Sequence, residues 1–135
     1  MAHVQLARFK AQSIRCRATA LSAAQDGRWE RVEELLWGSV MAAVKAVALA
    51  RDVRLGDGEE VRRYASSVAL ETGDRSLGEV LSHVSRISSV YLQVQDSSIS
   101  RDHLYQLVRR ICLAVERLLR LLPAEEEEQD GPSPA

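Results

Sequence analysis

Apolar residues recur every three or four positions along most of this chain, which is the spacing of an amphipathic α-helix. The clearest stripe lies in residues 99–122, directly before Pro123. Its members are Leu104, Val108, Ile111, Val115, Leu118 and Leu122. Four earlier segments have the same period, at residues 4–24, 28–53, 59–72 and 76–94. The pattern predicts an all-α domain over residues 1–122, built as an antiparallel bundle of about five helices.

Polar residues and glycines mark where these helices begin and end. Asp57 or Gly58 is suited to cap the third helix, and Gly73 is suited to end it. Ser76 and Glu79 have the spacing of a capping box, in which each side chain binds a backbone amide of the other residue. The fourth helix is therefore predicted to begin at Ser76 and to run unbroken.

Two faces of the first predicted helix differ in chemistry. One face is apolar and carries Leu6, Ala7, Ala11, Ile14, Ala18 and Leu21. The other face is basic and carries Arg8, Lys10, Arg15 and Arg17. The apolar face is predicted to meet the core, and the basic set is a candidate contact for an anion or RNA. The alternative is a solvated face whose bases pair with acids of a neighbouring helix.

The second predicted helix is apolar on more than one side. Opposite its core-facing stripe it carries Trp37, Met41, Val44 and Ala48. A helix that is apolar all round is buried all round, so its second half is either the central helix of the bundle or part of a subunit interface. The last helix also carries a second apolar stripe, formed by Tyr105, Cys112 and Leu119. This excess of apolar surface predicts a homodimer.

Small residues recur at every fourth position of the second helix. They are Gly38, Ala42, Ala46 and Ala50. A row of this kind lets a neighbouring helix approach closely. The first helix is predicted to be that neighbour, with Ala7, Ala11 and Ala18 as its matching surface.

Lys45 interrupts the apolar stretch LLWGSVMAAVKAVALA, at residues 35–50. Three interpretations stay open. Its ammonium group reaches water at the rim of a buried patch, lies over the Trp37 ring, or binds an anion. We expect Lys45 at the edge of a groove or subunit seam lined by Trp37, Met41 and Ala48. Trp37, Met41 and Lys45 are therefore candidate ligand-binding or partner-binding residues.

Charge is unevenly distributed along the chain. The net charge is −1, but residues 123–135, PAEEEEQDGPSPA, hold five acids and no base. Without them, eighteen Lys and Arg stand against fourteen Asp and Glu, which leaves a net charge of +4. The acidic segment is too polar to join a core and is predicted to be a disordered tail. Such a tail would shield a basic patch or aid solubility.

Further features narrow the class of protein. No apolar run is long enough to span a membrane, and the start, MAHVQLARFKAQSIRCR, lacks the apolar region of a signal peptide. We therefore expect a cytoplasmic location. Cys16 and Cys112 lie far apart without metal-ligand spacing, which favours free thiols over a disulfide. The chain has no Asn, and sixteen of its eighteen bases are Arg, a composition that fits a thermophilic source.

Signatures of catalysis and of cofactor binding are weak. No strand precedes a glycine-rich phosphate loop. His83 and His103 are not paired with carboxylates at metal-ligand spacing such as HExxH. Tyr64, Tyr91 and Tyr105 are expected in the core with their hydroxyls at its edge. These patterns predict no catalytic residue, cofactor or metal site.

The stretch DGRWERVEELLWGSVMAAVKAVALARD, with one helix before it and three after, resembles the archaeal PaREP family. That family is grouped with the HEPN domains (higher eukaryotes and prokaryotes nucleotide-binding). The likeness is carried by Trp37-Gly38, Ala42-Ala43 and Val44-Lys45-Ala46, in a helix entered through DGRW. It spans roughly residues 4–122. The resemblance implies a helical bundle, often dimeric, that cleaves RNA or pairs with a small nucleotidyltransferase.

Ribonuclease members of the HEPN group carry an Arg followed, after four to six residues, by a His. No Arg precedes His3, His83 or His103 at that interval. Arg86 and Tyr91 are nearest to the family's catalytic position and are kept as candidate binding residues. We therefore expect a non-catalytic HEPN-like module that binds a protein, nucleotide or RNA partner. The alternative is an RNA-processing enzyme with a non-standard site.

Overall fold

The structure is a computed structural model that describes residues 2–123, with side chains from Val4 onward. The described residues form α-helices and contain no strand. The helices are α1 (Ala2–Gln25), α2 (Trp29–Ala50), α3 (Gly58–Thr72), α4 (Arg75–Ser85), α5 (Ile87–Gln95) and α6 (Arg101–Arg120). The prediction of an all-α bundle is confirmed, with six helices in this part of the chain instead of about five. The predicted disordered tail lies outside the described residues, apart from Pro123.

The extra helix arises because the fourth predicted helix is broken at Arg86. The Arg86 amide donates to the His83 carbonyl, three residues back, at 3.1 Å. The Ser85 hydroxyl donates to the Leu81 carbonyl at 3.0 Å, and such bonds compete with the backbone ladder and bend helices. Arg86 keeps φ −85° and ψ −10°, so the break is a tight turn. Buried side chains continue at helical spacing across it, from Val84 to Ile87, which is why the apolar pattern does not reveal it.

Helix α2 is the centre of the bundle. It contacts each of the other five helices, and twelve of its 22 residues are buried. Val44 and Ala48, on the face that could have met a second subunit, are fully buried within the chain. Of the two interpretations, the central helix is the one that the structure shows. The apolar surface of α2 is therefore used inside the chain and does not by itself require a second copy.

Helices α1 and α2 pack against each other as an antiparallel hairpin. Contacts advance in opposite directions along the two helices, through the pairs Lys45 with Phe9, Ser39 with Ser13, and Gly38 with Cys16. Arg54, beyond the end of α2, continues the series by contacting Gln5. The crossing is close at Ser13 and Ser39, which are both fully buried. Each serine hydroxyl donates to the backbone carbonyl of the other residue at 2.8 Å. The hairpin thus satisfies two buried hydroxyls through direct hydrogen bonds between the helices.

Most of the predicted inward face of α1 is wrong, although one of its six residues, Leu6, does pack against the core. Ala7, Ala11 and Ala18 are exposed, and Ile14 and Leu21 are 40% and 43% exposed. The face that α1 buries is formed by Ser13, Ala20, Ala23 and Ala24, with Leu6, Phe9 and Cys16 half-buried beside them. This face is composed mainly of small side chains because α2 approaches closely. Small size, not apolar character, decides which side of α1 meets the core.

The predicted caps are confirmed at α3 and wrong at α4. The Asp57 carboxylate accepts a hydrogen bond from the Glu60 amide at 3.0 Å and caps α3, and Gly73 ends that helix at φ +74°. Asp74 caps α4 by accepting from the Ser76 amide at 3.1 Å. The Ser76 hydroxyl donates to the same Asp74 oxygen at 2.6 Å, so Ser76 is not the capping residue.

Candidate functional site

Trp37 and Lys45 contact different neighbours of α2. The guanidinium carbon of Arg62, in α3, lies 5.2 Å from the centroid of the Trp37 ring. The Lys45 ammonium nitrogen lies 5.9 Å from the centroid of the Phe9 ring, in α1. Met41 is half-buried against the core. Lys45 thus has a cation–π partner, but the ring is that of Phe9 and not that of Trp37.

Lys45 lies in a groove between α1 and the end of α2, which we call the Lys45 groove. Its volume is about 290 Å³, near the lower end of the range for small-ligand sites. Its lining consists of Gln5, Arg8, Phe9, Gln12, Lys45, Leu49, Val53, Arg54 and Leu55. Apolar side chains form part of this lining, and the polar groups come from three bases and two amides. A groove of this composition suits a ligand with a charged end and an apolar or aromatic part.

Positive charge dominates the Lys45 groove. Its bases are Arg8, Lys45 and Arg54, and none of its nine described lining residues is Asp or Glu. The Arg54 Nη1 atom donates to the Gln5 side-chain oxygen at 2.9 Å, which holds one guanidinium in place without neutralising it. Glu60 lines the adjacent depression beyond Arg54, where its Oε1 atom accepts from the Gly56 amide at 2.5 Å. Three like charges gathered in this way attract an anion, which relieves their mutual repulsion.

The four bases predicted on α1 are divided between two sides of that helix. At 100° per residue, Arg8 and Arg15 lie on one side and Lys10 and Arg17 on the other. Arg8 lines the Lys45 groove, and Arg15 is exposed. Arg17 forms an ion pair of 3.7 Å with Glu116 of α6. The set therefore contains both predicted behaviours, because one base pairs with an acid of a neighbouring helix and another joins a candidate anion site.

Arg86 and Tyr91 lie at the break between α4 and α5 and within α5. Arg86 is exposed. The Tyr91 hydroxyl accepts a hydrogen bond from the Gln95 side-chain amide at 3.0 Å. Its ring centroid lies 6.3 Å from that of Trp29, which in turn meets Tyr105 edge-to-face at 5.4 Å. Tyr91 thus belongs to an aromatic cluster that joins α2, α5 and α6.

His83 lies in a second depression, of about 420 Å³, formed by α4 and α6. Its lining is Arg75, Ser76, Glu79, His83, Arg110, Leu113 and Arg117. Burial lowers the pKa of His83 below its ordinary value, and the charges of Arg86 and Arg110 lower it further against the opposing effect of Glu79. The Nδ1 atom is buried without a hydrogen-bond partner among the described residues. The Ser76 hydroxyl is committed to Asp74 and Arg117, so it is not an activated nucleophile here.

Sequence reasoning missed most of the residues that accompany Lys45. No recognised motif contains Phe9, Gln5, Gln12 or Arg54. Two signals were present: Phe9 is the single Phe of the chain, and it stands between Arg8 and Lys10. The position of Arg54, beyond the end of α2, depends on how the α1–α2 hairpin closes, which no local pattern encodes.

No protein-family model, curated protein or solved structure matches this chain. Within residues 2–123, no group of three or more His, Cys, Asp and Glu side chains is arranged to hold a metal ion. Among the helices of the same part of the chain, none is both long and apolar enough to cross a bilayer. Cys16 and Cys112 are free thiols.

Proposed function

We propose that this chain is a non-catalytic helical binding module, HEPN-like as its resemblance to the PaREP family implies, that holds a phosphate-bearing partner in the Lys45 groove. The phosphate belongs to a nucleotide or to an RNA. The proposal is carried by one observation, the convergence of Arg8, Lys45 and Arg54 in a groove whose described lining has no carboxylate.

The chemistry of the lining suits a nucleotide unit. Arg and Lys donate charge-assisted hydrogen bonds to phosphate oxygens. The amides of Gln5 and Gln12 supply both donors and acceptors for the edge of a base or a sugar hydroxyl. The exposed part of the Phe9 ring offers a surface for stacking, although Lys45 already lies beside that ring. The groove thus has a group for each part of a nucleotide.

We propose a non-catalytic role because of how the candidate catalytic side chains are arranged. Tyr91 is engaged in an aromatic cluster and accepts a hydrogen bond from Gln95. His83 has Glu79 at 3.9 Å and no free nucleophile beside it among the residues that line its depression. General acid–base cleavage of RNA needs a base and an acid within reach of one phosphate. The RNA-processing enzyme with a non-standard site is therefore the second candidate.

Two further parts of the proposal concern assembly. A homodimer stays a prediction, although α2 no longer supports it, because the apolar surface of α2 is used inside the chain. A nucleotidyltransferase-type protein is a second candidate partner, which the family resemblance implies. Light scattering of the purified chain tests the first, with a mass of twice 15.0 kDa expected for a dimer.

The experiment that tests the proposed function separates binding from cleavage. A fluorescently labelled single-stranded RNA and a labelled nucleotide are titrated with the protein, with and without divalent metal, and the RNA is then run on a denaturing gel. We expect a rise in anisotropy that weakens as salt increases, together with intact RNA. Cleavage that is abolished by Arg86→Ala or Tyr91→Phe would establish the enzyme instead. No binding of either probe would remove the groove as a phosphate site.

A further inference from the structure

One face of α1 is apolar, exposed and separate from the core. Its members, which we call the α1 stripe, are Val4, Ala7, Ala11, Ile14, Ala18 and Leu21. Val4 is 52% exposed, Ile14 40% and Leu21 43%. Successive members are three, four, three, four and three residues apart, which is the spacing of the a and d positions in a coiled-coil heptad.

The chain's own fold does not explain the α1 stripe. Ser13, Cys16 and Phe9 are the α1 residues that face α2. At 100° per residue, the centre of the stripe lies roughly 150° around the helix from them. The stripe therefore points away from the α1–α2 contact. Six apolar residues with a regular heptad spacing on a solvent-facing side are a surface that another helix can cover.

Bases line both edges of the α1 stripe. With Val4 at position a, Arg8 and Arg15 occupy the e positions, and Lys10 and Arg17 occupy the g positions. Arg8 and Arg15 are exposed, while Lys10 and Arg17 are half-buried. Arg17 shares Glu116 with Arg120, at 3.7 Å and 3.9 Å respectively. Exposed Arg8 and Arg15 therefore give one edge of the stripe a positive charge, while on the other edge Arg17 shares its charge with Glu116.

These edges oppose the pairing of two α1 stripes. In a parallel pair g positions face e positions of the other helix, and in an antiparallel pair like positions face each other. Base meets base in both arrangements, which disfavours a second copy of this chain. We propose that the α1 stripe binds an amphipathic helix of another protein, one with apolar residues at its a and d positions and Asp or Glu at its e and g positions. This deepens the proposed function, since it names a protein partner for the module, and it uses a surface that shares only Arg8 with the Lys45 groove.

The Leu21 end of the stripe adds a place for a large apolar side chain of the partner. There α1 and α6 form a groove of about 380 Å³. Its apolar lining is Leu21, Ala24, Tyr105, Val108, Cys112 and Leu113. Helix-in-groove complexes are anchored by large apolar side chains that enter such depressions. The alanines at three of the six stripe positions leave room for further large side chains from the same partner.

Two synthetic peptides of about four heptads test the proposal. Both carry Leu at a and d; one carries Glu at e and g, and the other carries Lys there. Binding is followed by the anisotropy of a fluorescent label on the peptide. We expect the Glu peptide to bind, with an affinity that falls as salt rises from about 50 to about 300 mM, and the Lys peptide not to bind. Equal binding of the two peptides, or binding of neither, overturns the proposal.

Matched substitutions assign the binding to the stripe. Ile14→Asp is expected to weaken the binding of the Glu peptide at least about tenfold. Leu70→Asp is the control, at a leucine of α3 that is 86% exposed, and it is expected to leave the binding of the Glu peptide unchanged. Arg15→Glu is expected to weaken the Glu peptide by about threefold and to give the Lys peptide measurable affinity. If circular dichroism shows that Ile14→Asp perturbs folding, Arg15→Glu still tests whether the stripe binds the peptide. If neither the exchange of the Glu peptide for the Lys peptide nor Arg15→Glu changes the measured affinity, the proposed charge complementarity is contradicted.

The proposals for the α1 stripe and for the Lys45 groove can be tested independently of each other. Lys45→Gln is expected to leave the affinity for the Glu peptide unchanged, and Ile14→Asp is expected to leave RNA binding unchanged. Light scattering provides the remaining check. A dimer that Ile14→Asp converts to a monomer would assign the stripe to a second copy of this chain and overturn the proposal.

Discussion

Ser13 and Ser39 face each other across the closest part of the α1–α2 hairpin, and each hydroxyl donates to the other residue's backbone carbonyl at 2.8 Å. The two hydroxyl oxygens are themselves 3.2 Å apart. Both residues are fully buried, so neither has water as an alternative partner. The pair fixes how far the two helices can slide along each other.

Removing one hydroxyl of this pair should destabilise the fold. Ser13→Ala is expected to lower the free energy of unfolding by about 1–2 kcal/mol, because a buried hydrogen bond is lost and the Ser39 hydroxyl loses a neighbour. Urea unfolding followed by circular dichroism measures the change. Ser67→Ala is the control, since the Ser67 hydroxyl is exposed and bonds within its own helix; we expect a change within about 0.5 kcal/mol. Equal effects of the two substitutions would contradict the importance of the pair.

Gly38 should tolerate one methyl group and no more. A Cβ atom there would lie 3.4 Å from the Cys16 sulfur, which is ordinary contact. Gly38→Ala is therefore expected to be neutral or to stabilise by up to about 1 kcal/mol through helix propensity. Gly38→Leu is expected to destabilise by about 1–3 kcal/mol because it overpacks the hairpin. The two melting curves should move apart; a Leu variant as stable as the Ala variant would show that the helices are not held closely at this point.

His83 should make the protein less stable in mild acid. Its pKa is lowered in the folded state, mainly by burial, so the unfolded state binds the proton more readily. As pH falls through the ordinary His value of 6.5, the unfolded state gains protons and the free energy of unfolding drops. Above that pH both states are neutral and the effect vanishes. Urea unfolding at pH 7.5 and pH 5.5 should show a smaller drop for His83→Gln than for His103→Gln, whose side chain is exposed. An identical drop in the two variants would contradict this account.

The two thiols should differ in reactivity. Burial raises the pKa of Cys112, and the thiolate is the reactive form. Cys16 is only half-buried, at the α1–α2 contact. A disulfide reagent at pH 8 should therefore modify the Cys112→Ser protein, in which Cys16 remains, faster than the Cys16→Ser protein. Equal rates would contradict this account, because they would mean that Cys112 in α6 is as accessible to the reagent as Cys16 in α1.

The apolar period predicts the helices well because burial of one face per helix repeats every 3.6 residues wherever the helix runs. It predicts α1 itself, but not which side of α1 is inward. The large apolar side chains Ile14 and Leu21 suggest one face, while the close approach of α2 requires the small side chains of Ser13 and Ala20 on another. That choice depends on the distance between two helices, which is a tertiary property.

The break at Arg86 and the Lys45 groove escape sequence reasoning for related reasons. Buried side chains keep their spacing through the turn, so the period carries no mark of it. Arg54 lines the same groove as Lys45 because the hairpin closes and brings the Arg54 side chain to Gln5, 49 residues earlier in the chain. The sequence does point to Lys45, because a base within an apolar run needs a polar destination. It does not point to most of the other lining residues, because they come from three different segments.

The most direct test of the Lys45 groove compares three charge-removing variants in one RNA-binding titration. Lys45→Gln and Arg54→Gln each remove a base that lines the groove, and Arg101→Gln removes an exposed base at the start of α6. A charge-assisted hydrogen bond to phosphate contributes about 1.5–3 kcal/mol, so each groove variant should weaken binding by roughly tenfold or more. The Arg101 variant should bind within about twofold of the unchanged protein. Three equal losses, or no loss in any variant, would contradict a phosphate site at Lys45.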